Sequence, residues 1–424
     1  MRHDPRPAPE PDPAPNAGPG LDTGPNPGPN PTPPPQPLPR ATVQALTASP
    51  IRQLANAAMH RADVLPFWFG ESDSPTVGVI REAASLSLAR GETRYGENLG
   101  RPYLRHALSR YLSALHGVDI GTERIAVSGS GVSGIMLAAQ LLLEPGDRVV
   151  AVTPLWPNLT GIPRILGARI QRYPLSVTDG RWTLDVPGLL QALTPDTRLL
   201  LLNSPNNPTG WTIEAEDIAP ILRHCRRHGI WILCDDVYER LLYDPAQASA
   251  PSFLRHCAPD DRVISVNSFS KAWSMTGWRV GWMVVPASLT DDLAKLIEYN
   301  SSCVFDPVQR AATAALEHGE ATVAALRAQL ARTRALLTDA LRGLPGIEAP
   351  DAGGAMYVFF RMSDATDSTL LARQLVEQTG LGLAPGAAFG PEASAWLRWC
   401  HATSPERLEE GLSRLRRFLT QRRT

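Results

Sequence analysis

Four short apolar runs recur along the middle of the chain, each bounded by turn or polar residues: Arg148 to Val152, Arg198 to Asn203, Ile230 to Cys234 and Arg262 to Asn267. They are apolar at nearly every position rather than at alternate ones, the pattern of strands buried on both faces. Longer amphipathic stretches separate them. The clearest runs from Ala215 to His228 and is followed by Gly229, where a helix end favours a left-handed residue. Repetition of buried strand, amphipathic helix and buried strand closes through right-handed crossovers, which builds a mainly parallel sheet with helices on both faces. An α/β fold is predicted, and in such sheets ligands lie beyond the carboxyl ends of the strands.

The chain ends carry different signals. Gly353 to Phe360 reads as a strand, Thr369 to Thr379 as a helix and Trp396 to His401 as another strand. A last helix is announced by Ser404 as cap, Pro405 at its first position and Leu408, Leu412, Leu415 and Leu419 along one face. A smaller α+β unit is expected there. At the other end, 16 of the 40 prolines fall within the first 40 residues, and Leu21 and Leu38 are the only sizeable apolar side chains. Nothing in that segment can offset the entropy of ordering it, so a disordered tail with local polyproline II structure at Pro33-Pro34-Pro35 is predicted.

Charge and composition exclude several functions. With 41 basic and 42 acidic side chains the formal charge is −1, which removes the long-range attraction a general nucleic-acid binder needs. No run approaches the roughly 18 apolar residues of a membrane span, and Met1 to Pro5 lacks a signal core, so a cytoplasmic protein without a membrane partner is expected. The five cysteines show no Cys-x-x-Cys spacing and the histidines no ligand spacing, which predicts free thiols and no metal.

Arginine outnumbers lysine by 39 to 2, so each lysine is informative. Lys295 follows Asp291 and Asp292 in a helical pattern and reads as a surface ion-pair partner. Lys271 stands just past a predicted strand, in Asn267-Ser268-Phe269-Ser270-Lys271 followed by Gly277-Trp278-Arg279-Val280-Gly281. Two hydroxyls, an amine and a guanidinium can converge there on one anion, which suits a phosphate held beside a reactive amine. Ser128-Gly129-Ser130-Gly131-Val132-Ser133-Gly134 opens a predicted helix running to Leu143, and backbone N–H groups at such a start bind phosphate. Asn206-Asn207-Pro208-Thr209-Gly210 is a turn after one predicted strand, and Asp235-Asp236-Val237-Tyr238 lies at the end of the next.

Ser-x-Ser-Lys with Gly-Trp-Arg-x-Gly, the Asn-Pro-Thr-Gly turn and Asp-x-x-Tyr together resemble the class I/II pyridoxal-phosphate-dependent aminotransferases, aspartate aminotransferase-like enzymes of fold type I. The matches keep the family's order over roughly residues 65 to 405. With the proline-rich tail placed over 1–42, the resemblance implies an N-terminal arm and part of a small domain over 43–75, a large cofactor-binding domain over 76–305 and a small C-terminal domain over 306–424. It implies that Lys271 carries pyridoxal phosphate covalently and acts as the catalytic base. Ser130, Gly131, Val132, Ser268, Ser270 and Arg279 would hold the phosphate, Trp156 would stack on the ring, and Asn207 and Tyr238 would reach its phenolic oxygen. Asp235 would pair with the pyridine nitrogen and keep it protonated, so that the ring accepts electrons; Asp236, one residue on, would point elsewhere. Tyr95, in Tyr95-Gly96-Glu97-Asn98-Leu99-Gly100, would reach the phosphate in a neighbouring subunit, implying a homodimer. Gly70 would line the substrate carboxylate site and Arg398 clamp it, since a guanidinium fork binds both carboxylate oxygens.

The implied reaction moves an amino group from an L-amino acid to a 2-oxo acid. Val132 lies where some acidic-substrate relatives have lysine, and Phe67-Trp68-Phe69 lies beside the entrance, so an apolar or aromatic donor is expected. The same motifs serve β-lyases and decarboxylases, because the cofactor stabilises a carbanion whichever bond breaks. A non-catalytic binding protein on this fold would be expected to have lost Lys271, Asp235 or Arg398, and all three are present.

Overall fold

The computed structural model of the chain describes residues 38–422. Contacts divide the chain between Arg40 and Ala41. The tail expected over 1–42 lies outside the described residues up to position 37, Pro33-Pro34-Pro35 included, and its last two positions, Ala41 and Thr42, begin a short helix, Ala41–Gln44.

The expected sheet has seven strands: β1 Ile125–Ser128, β2 Arg148–Thr153, β3 Arg169–Pro174, β4 Thr197–Asn203, β5 Trp231–Asp235, β6 Val263–Ser268 and β7 Gly281–Val284. Their spatial order is β1-β7-β6-β5-β4-β2-β3. β7 runs antiparallel to both of its neighbours and every other pair is parallel. The α/β architecture is therefore mixed but mostly parallel.

The unbroken apolar runs are explained by what covers each face. Along β4, Leu200 and Leu202 join Ile218, Ile221 and Leu222 in one core cluster, whereas Leu199 and Leu201 join Ile135, Ala138 and Leu142 in another. Alternate side chains of a strand face opposite sides, so a sheet with helices on both sides needs apolar residues at odd and even positions alike. Five helices matter for the site: α1 Pro50–Ala58, α2 Gly131–Leu142, α3 Ala215–His228, α4 Ser368–Thr379 and α5 Pro405–Gln421. α3 ends on Gly229 at φ 68°, and the Ser404 side chain caps α5 by accepting from the Arg407 N–H.

The second sheet, β8 Ile347–Glu348, β9 Tyr357–Met362, β10 Ala384–Pro385 and β11 Trp396–Cys400, is antiparallel in the order β8-β9-β11-β10. Leu65–Pro66 pairs with Leu381–Gly382 and so joins the N-terminal segment to this part of the molecule. The strand read from Gly353 begins only at Tyr357. The preceding N–H groups bond elsewhere: Gly353 and Gly354 donate to the Gly210 carbonyl at 3.0 and 3.1 Å, and Ala355 to that of Leu241 at 2.8 Å. That segment is a tie between the two sheets' surroundings rather than a rung of one ladder. Among the described residues no helix is long and apolar enough to cross a membrane.

Candidate active site

The carboxyl ends of β4, β5 and β6 deliver Asn203, Asp235 and Ser268 to one edge of the large sheet, where the N-terminus of α2 also opens. Asn203 stands opposite Asp235 in the ladder and joins the strand ends, its amide donating to the Asp235 carbonyl at 2.9 Å while its oxygen accepts from the Asn207 N–H at 2.8 Å. A cavity of about 610 Å³ lies over this edge. Gly70, Gly131, Val132, Trp156, Asn207, Asp235, Tyr238, Ser268, Ser270, Lys271, Arg279 and Arg398 all line it, so most of the residues singled out in the sequence converge.

Lys271 is held deep in the cavity, its Nζ donating to the Gly70 carbonyl at 2.5 Å and lying 5.6 Å from the centre of the Tyr238 ring. Burial pulls its ammonium down to about 8. Asp235 is 3% exposed, and burial pushes its carboxyl up to about 7 against the opposing pull of the Val237 N–H and Lys271. Asp236 follows strand alternation to the other side, where it accepts from the Ser265 hydroxyl at 2.5 Å.

The anion cradle is built from backbone and hydroxyls. Ser130 caps α2 by accepting from the Ser133 N–H at 3.0 Å, which leaves Gly131 and Val132 at the helix start facing the cavity. Ser268 Oγ donates to Ser270 Oγ at 2.8 Å and accepts from the Ser270 N–H at 3.1 Å. Arg279 reaches the same cavity from a left-handed backbone at φ 57°, fixed by its bond to the Thr276 carbonyl at 2.7 Å. A Cβ on Gly281 would come within 2.5 Å of the Asn267 carbonyl and 2.8 Å of the Gly131 nitrogen, so only glycine lets β7 pass this close to the cradle.

Arg398 projects from β11 and is 3% exposed. Its Nη1 donates to Asn207 Oδ1 at 2.8 Å, its Nη2 donates to the Trp68 carbonyl, and its guanidinium lies 4.4 Å from the Tyr357 ring centre. Its Nε is buried without a protein partner, a donor suited to a ligand carboxylate. Tyr357 Oη pairs with Tyr238 Oη at 2.6 Å, and a Cβ on Gly70 would lie 1.8 Å from that Tyr357 oxygen, so the wall beside Arg398 requires glycine at position 70.

Tyr95, expected to act on a neighbouring subunit, does not line this chain's own cavity and is 87% exposed. Two readings need adjustment. Ser130 contributes as a cap rather than as a cavity wall. Phe67 turns away from the entrance to pack on Trp399, their ring centres 5.2 Å apart, leaving Trp68 and Phe69 at the cavity. Asn203, Tyr357 and Arg52 line the cavity and went unnoticed in the sequence. Asn203 had a signal, a polar residue ending an apolar strand; Tyr357 inside an apolar run and Arg52 in a motif-free helix had none.

These residues fit pyridoxal phosphate. The cradle offers N–H and hydroxyl donors with one guanidinium for a phosphate, the only partly compensated buried carboxyl of Asp235 suits a protonated ring nitrogen, and the amine of Lys271 shares the cavity with both.

Known proteins resemble the chain over most of its length. The family model "Aminotransferase class I and II" matches residues 62–415. An aspartate aminotransferase from Pyrococcus horikoshii is 32% identical over 89% of this chain and 96% of its own, and the aromatic-amino-acid aminotransferase 2 of Thermococcus litoralis is 28% identical over 90% and 98%. The solved structure of a single mutant of Thermus thermophilus aspartate aminotransferase superposes with a TM-score of 0.83 at 30% identity, over 89% of this chain and 99% of that one.

Proposed function

The chain belongs to the class I and II aminotransferases, and from that premise we propose a role for each wall of its cavity. The enzyme transfers an amino group, and the residues above are read as holding pyridoxal phosphate while an L-amino acid and then a 2-oxo acid are bound. Bound pyridoxal phosphate supplies an electron sink for the charge left at the substrate α-carbon when its proton departs. Gly131, Val132, Ser268, Ser270 and Arg279 hold the phosphate, Trp156 covers one face of the ring, and Tyr238 and the free amide of Asn207 serve its phenolic oxygen. Asp235 balances the charge of the ring nitrogen.

Arg398 fixes the substrate α-carboxylate through its planar fork, already oriented by Asn207 and the Trp68 carbonyl. Lys271 Nζ is the base that takes the α-proton. An amine at about 8 is neutral in roughly a tenth of molecules at pH 7, several hundred times the share of an unperturbed lysine.

The active unit is read as a homodimer. Gly96 N–H bonds Cys303 Sγ at 3.4 Å and Asn98 bonds the Ala294 carbonyl at 3.1 Å, so the Tyr95 loop adjoins the segment bearing Tyr299 and Phe305, which are 89% and 49% exposed. Covering that apolar face with a second copy would bring Tyr95 to the partner's cradle. A cytoplasmic setting suits five free cysteines.

The observation that carries the assignment is the half-buried Lys271 amine set among Asp235, Arg398 and the phosphate cradle. Incubation with pyridoxal phosphate, a panel of L-amino acids and one 2-oxo acid should yield the exchanged pair of acids; ammonia, thiol or carbon dioxide instead would indicate lyase or decarboxylase chemistry. Lys271→Ala is expected to keep the fold and lose turnover, and sustained transamination by that variant would overturn the role given to Lys271.

A further inference from the structure

Successive residues of β6 face opposite sides of the sheet, so Asn267 points away from the cavity that Ser268 lines. Its side-chain amide is used at both ends. Nδ2 donates to Glu239 Oε1 at 2.7 Å, and Oδ1 accepts from the Ser268 N–H at 2.7 Å. The other Glu239 oxygen lies 3.4 Å from Nε2 of His116, the last residue of the helix Pro102–His116. His116, Glu239 and Asn267 are all buried, and none of them lines the cavity. A carboxylate is costly to take out of water, and a buried ion pair is seldom a net gain in stability over apolar packing. Glu239 calls for another account.

That account lies in the polarity of the amide. The two ends of an asparagine side chain have nearly the same shape and opposite hydrogen-bonding character, whereas a carboxylate only accepts. Glu239 therefore selects one orientation of Asn267, the one that turns Oδ1 to the Ser268 N–H. Ser268 is the residue whose hydroxyl bonds both the N–H and the hydroxyl of Ser270. Glu239 also stands directly after Tyr238 in the turn that follows β5. Its bond to Asn267 ties the segment presenting Asp235 and Tyr238 to the strand presenting Ser268.

We propose that Glu239, acting through Asn267, is a positioning residue for the phosphate cradle: it fixes the amide that holds the Ser268 backbone and so aims the Ser268 and Ser270 hydroxyls at the phosphate. This rests on the reading of those serines as phosphate donors. Neither Glu239 nor Asn267 touches the cofactor in this role.

The full chain, stripped of cofactor, is titrated with pyridoxal phosphate and with pyridoxal, which lacks the phosphate. The ratio of the two dissociation constants measures what the cradle contributes, and because it is taken within each variant a general loosening of the fold cancels. Asn267→Ala and Glu239→Met should each lower the ratio about 10-fold, by weakening pyridoxal phosphate and leaving pyridoxal unchanged. The double variant Glu239→Gln/Asn267→Asp exchanges donor and acceptor: the new amide can donate to the new carboxylate, which still accepts from the Ser268 N–H. It should recover to within about 3-fold of the wild type. Ser265→Ala removes the partner of Asp236 on the same face of β6 and should leave the ratio unchanged. Inorganic phosphate supplies a second readout, raising the melting temperature of the stripped wild type and double variant more than that of either single variant. An unchanged ratio in Asn267→Ala or Glu239→Met, equal weakening of both ligands, or a double variant no better than the singles overturns the proposal. A wild type that binds pyridoxal as tightly as pyridoxal phosphate would overturn the cradle itself, and the proposal with it.

Discussion

Replacing Asp235 by asparagine should make the cofactor-free protein more stable, and by an amount that depends on pH. Burial raises the Asp235 carboxyl from 3.8 to about 7, with Val237 and Lys271 opposing only in part. A carboxyl whose folded value lies above its unfolded one favours the fold when protonated, and that contribution is lost as pH rises. The loss begins near pH 4 and is complete above about pH 7, where it reaches ~4 kcal/mol. Asparagine has nearly the same shape and no charge to desolvate. The variant's advantage should therefore be near zero below pH 4, ~2 kcal/mol near pH 5 and ~4 kcal/mol at pH 8. For a chain of this length that is a rise of about 5 °C in melting temperature at pH 8. Thermal unfolding of stripped wild type and Asp235→Asn from pH 4 to 9 measures it. With pyridoxal phosphate added the order should reverse, because the paired ring nitrogen then compensates the wild-type carboxylate, and turnover of the variant should fall by about 100- to 1000-fold. A stability gap that does not change with pH, or a variant less stable than wild type at pH 8 without cofactor, would refute the claim that Asp235 is an only partly compensated buried acid.

Three further outcomes are expected. Arg398→Lys should lower kcat/KM for amino acids by roughly 100-fold while leaving the cofactor absorbance intact, since one ammonium cannot bond Asn207 and both oxygens of a carboxylate together; an unchanged kcat/KM would remove Arg398 from the substrate site. Loading of pyridoxal phosphate into the stripped protein needs the neutral amine, so its rate should climb through a midpoint near pH 8, and a midpoint above 10 would show that Lys271 is not desolvated. Deletion of residues 1–40, ahead of the unit that begins at Ala41, should leave the absorbance band and the oligomeric state as they are, which absorbance and sedimentation would check.

The elements most legible in the sequence were those defined by local chemistry. The apolar runs located β2, β4, β5 and β6 to within a residue, and Gly229 and Ser404 marked helix ends that the structure places at the same positions. Gly353 to Phe360 misled, because the β pattern is local whereas the N–H groups of Gly353, Gly354 and Ala355 answer to carbonyls far away in the chain. The site divides along the same line. Lys271, Asp235 and the serines lie in contiguous motifs, whereas the setting of Arg398 depends on Asn207, 191 residues distant, and on the Trp68 carbonyl, 330 residues distant. Arg52 belongs to no motif, and only the stacking of α1 over Phe69 gives it a place at the cavity.

The tie at Gly353–Ala355 separates what this enzyme can vary from what it cannot. Tyr357 lies two residues beyond the tie, and β9 is laddered to β11, which carries Arg398; the other end of the tie is the turn that presents Asn207. Both sides of the carboxylate clamp are thus pinned by backbone, and a change of side chain nearby cannot easily move one against the other. The wall carrying Ser49, Ile51 and Arg52 meets the clamp through side chains instead, since Ile51 is buried in the same core cluster as Trp68, whose carbonyl holds Arg398. A lineage diversifying this scaffold would therefore have to repack that wall while inheriting the backbone-held clamp unaltered.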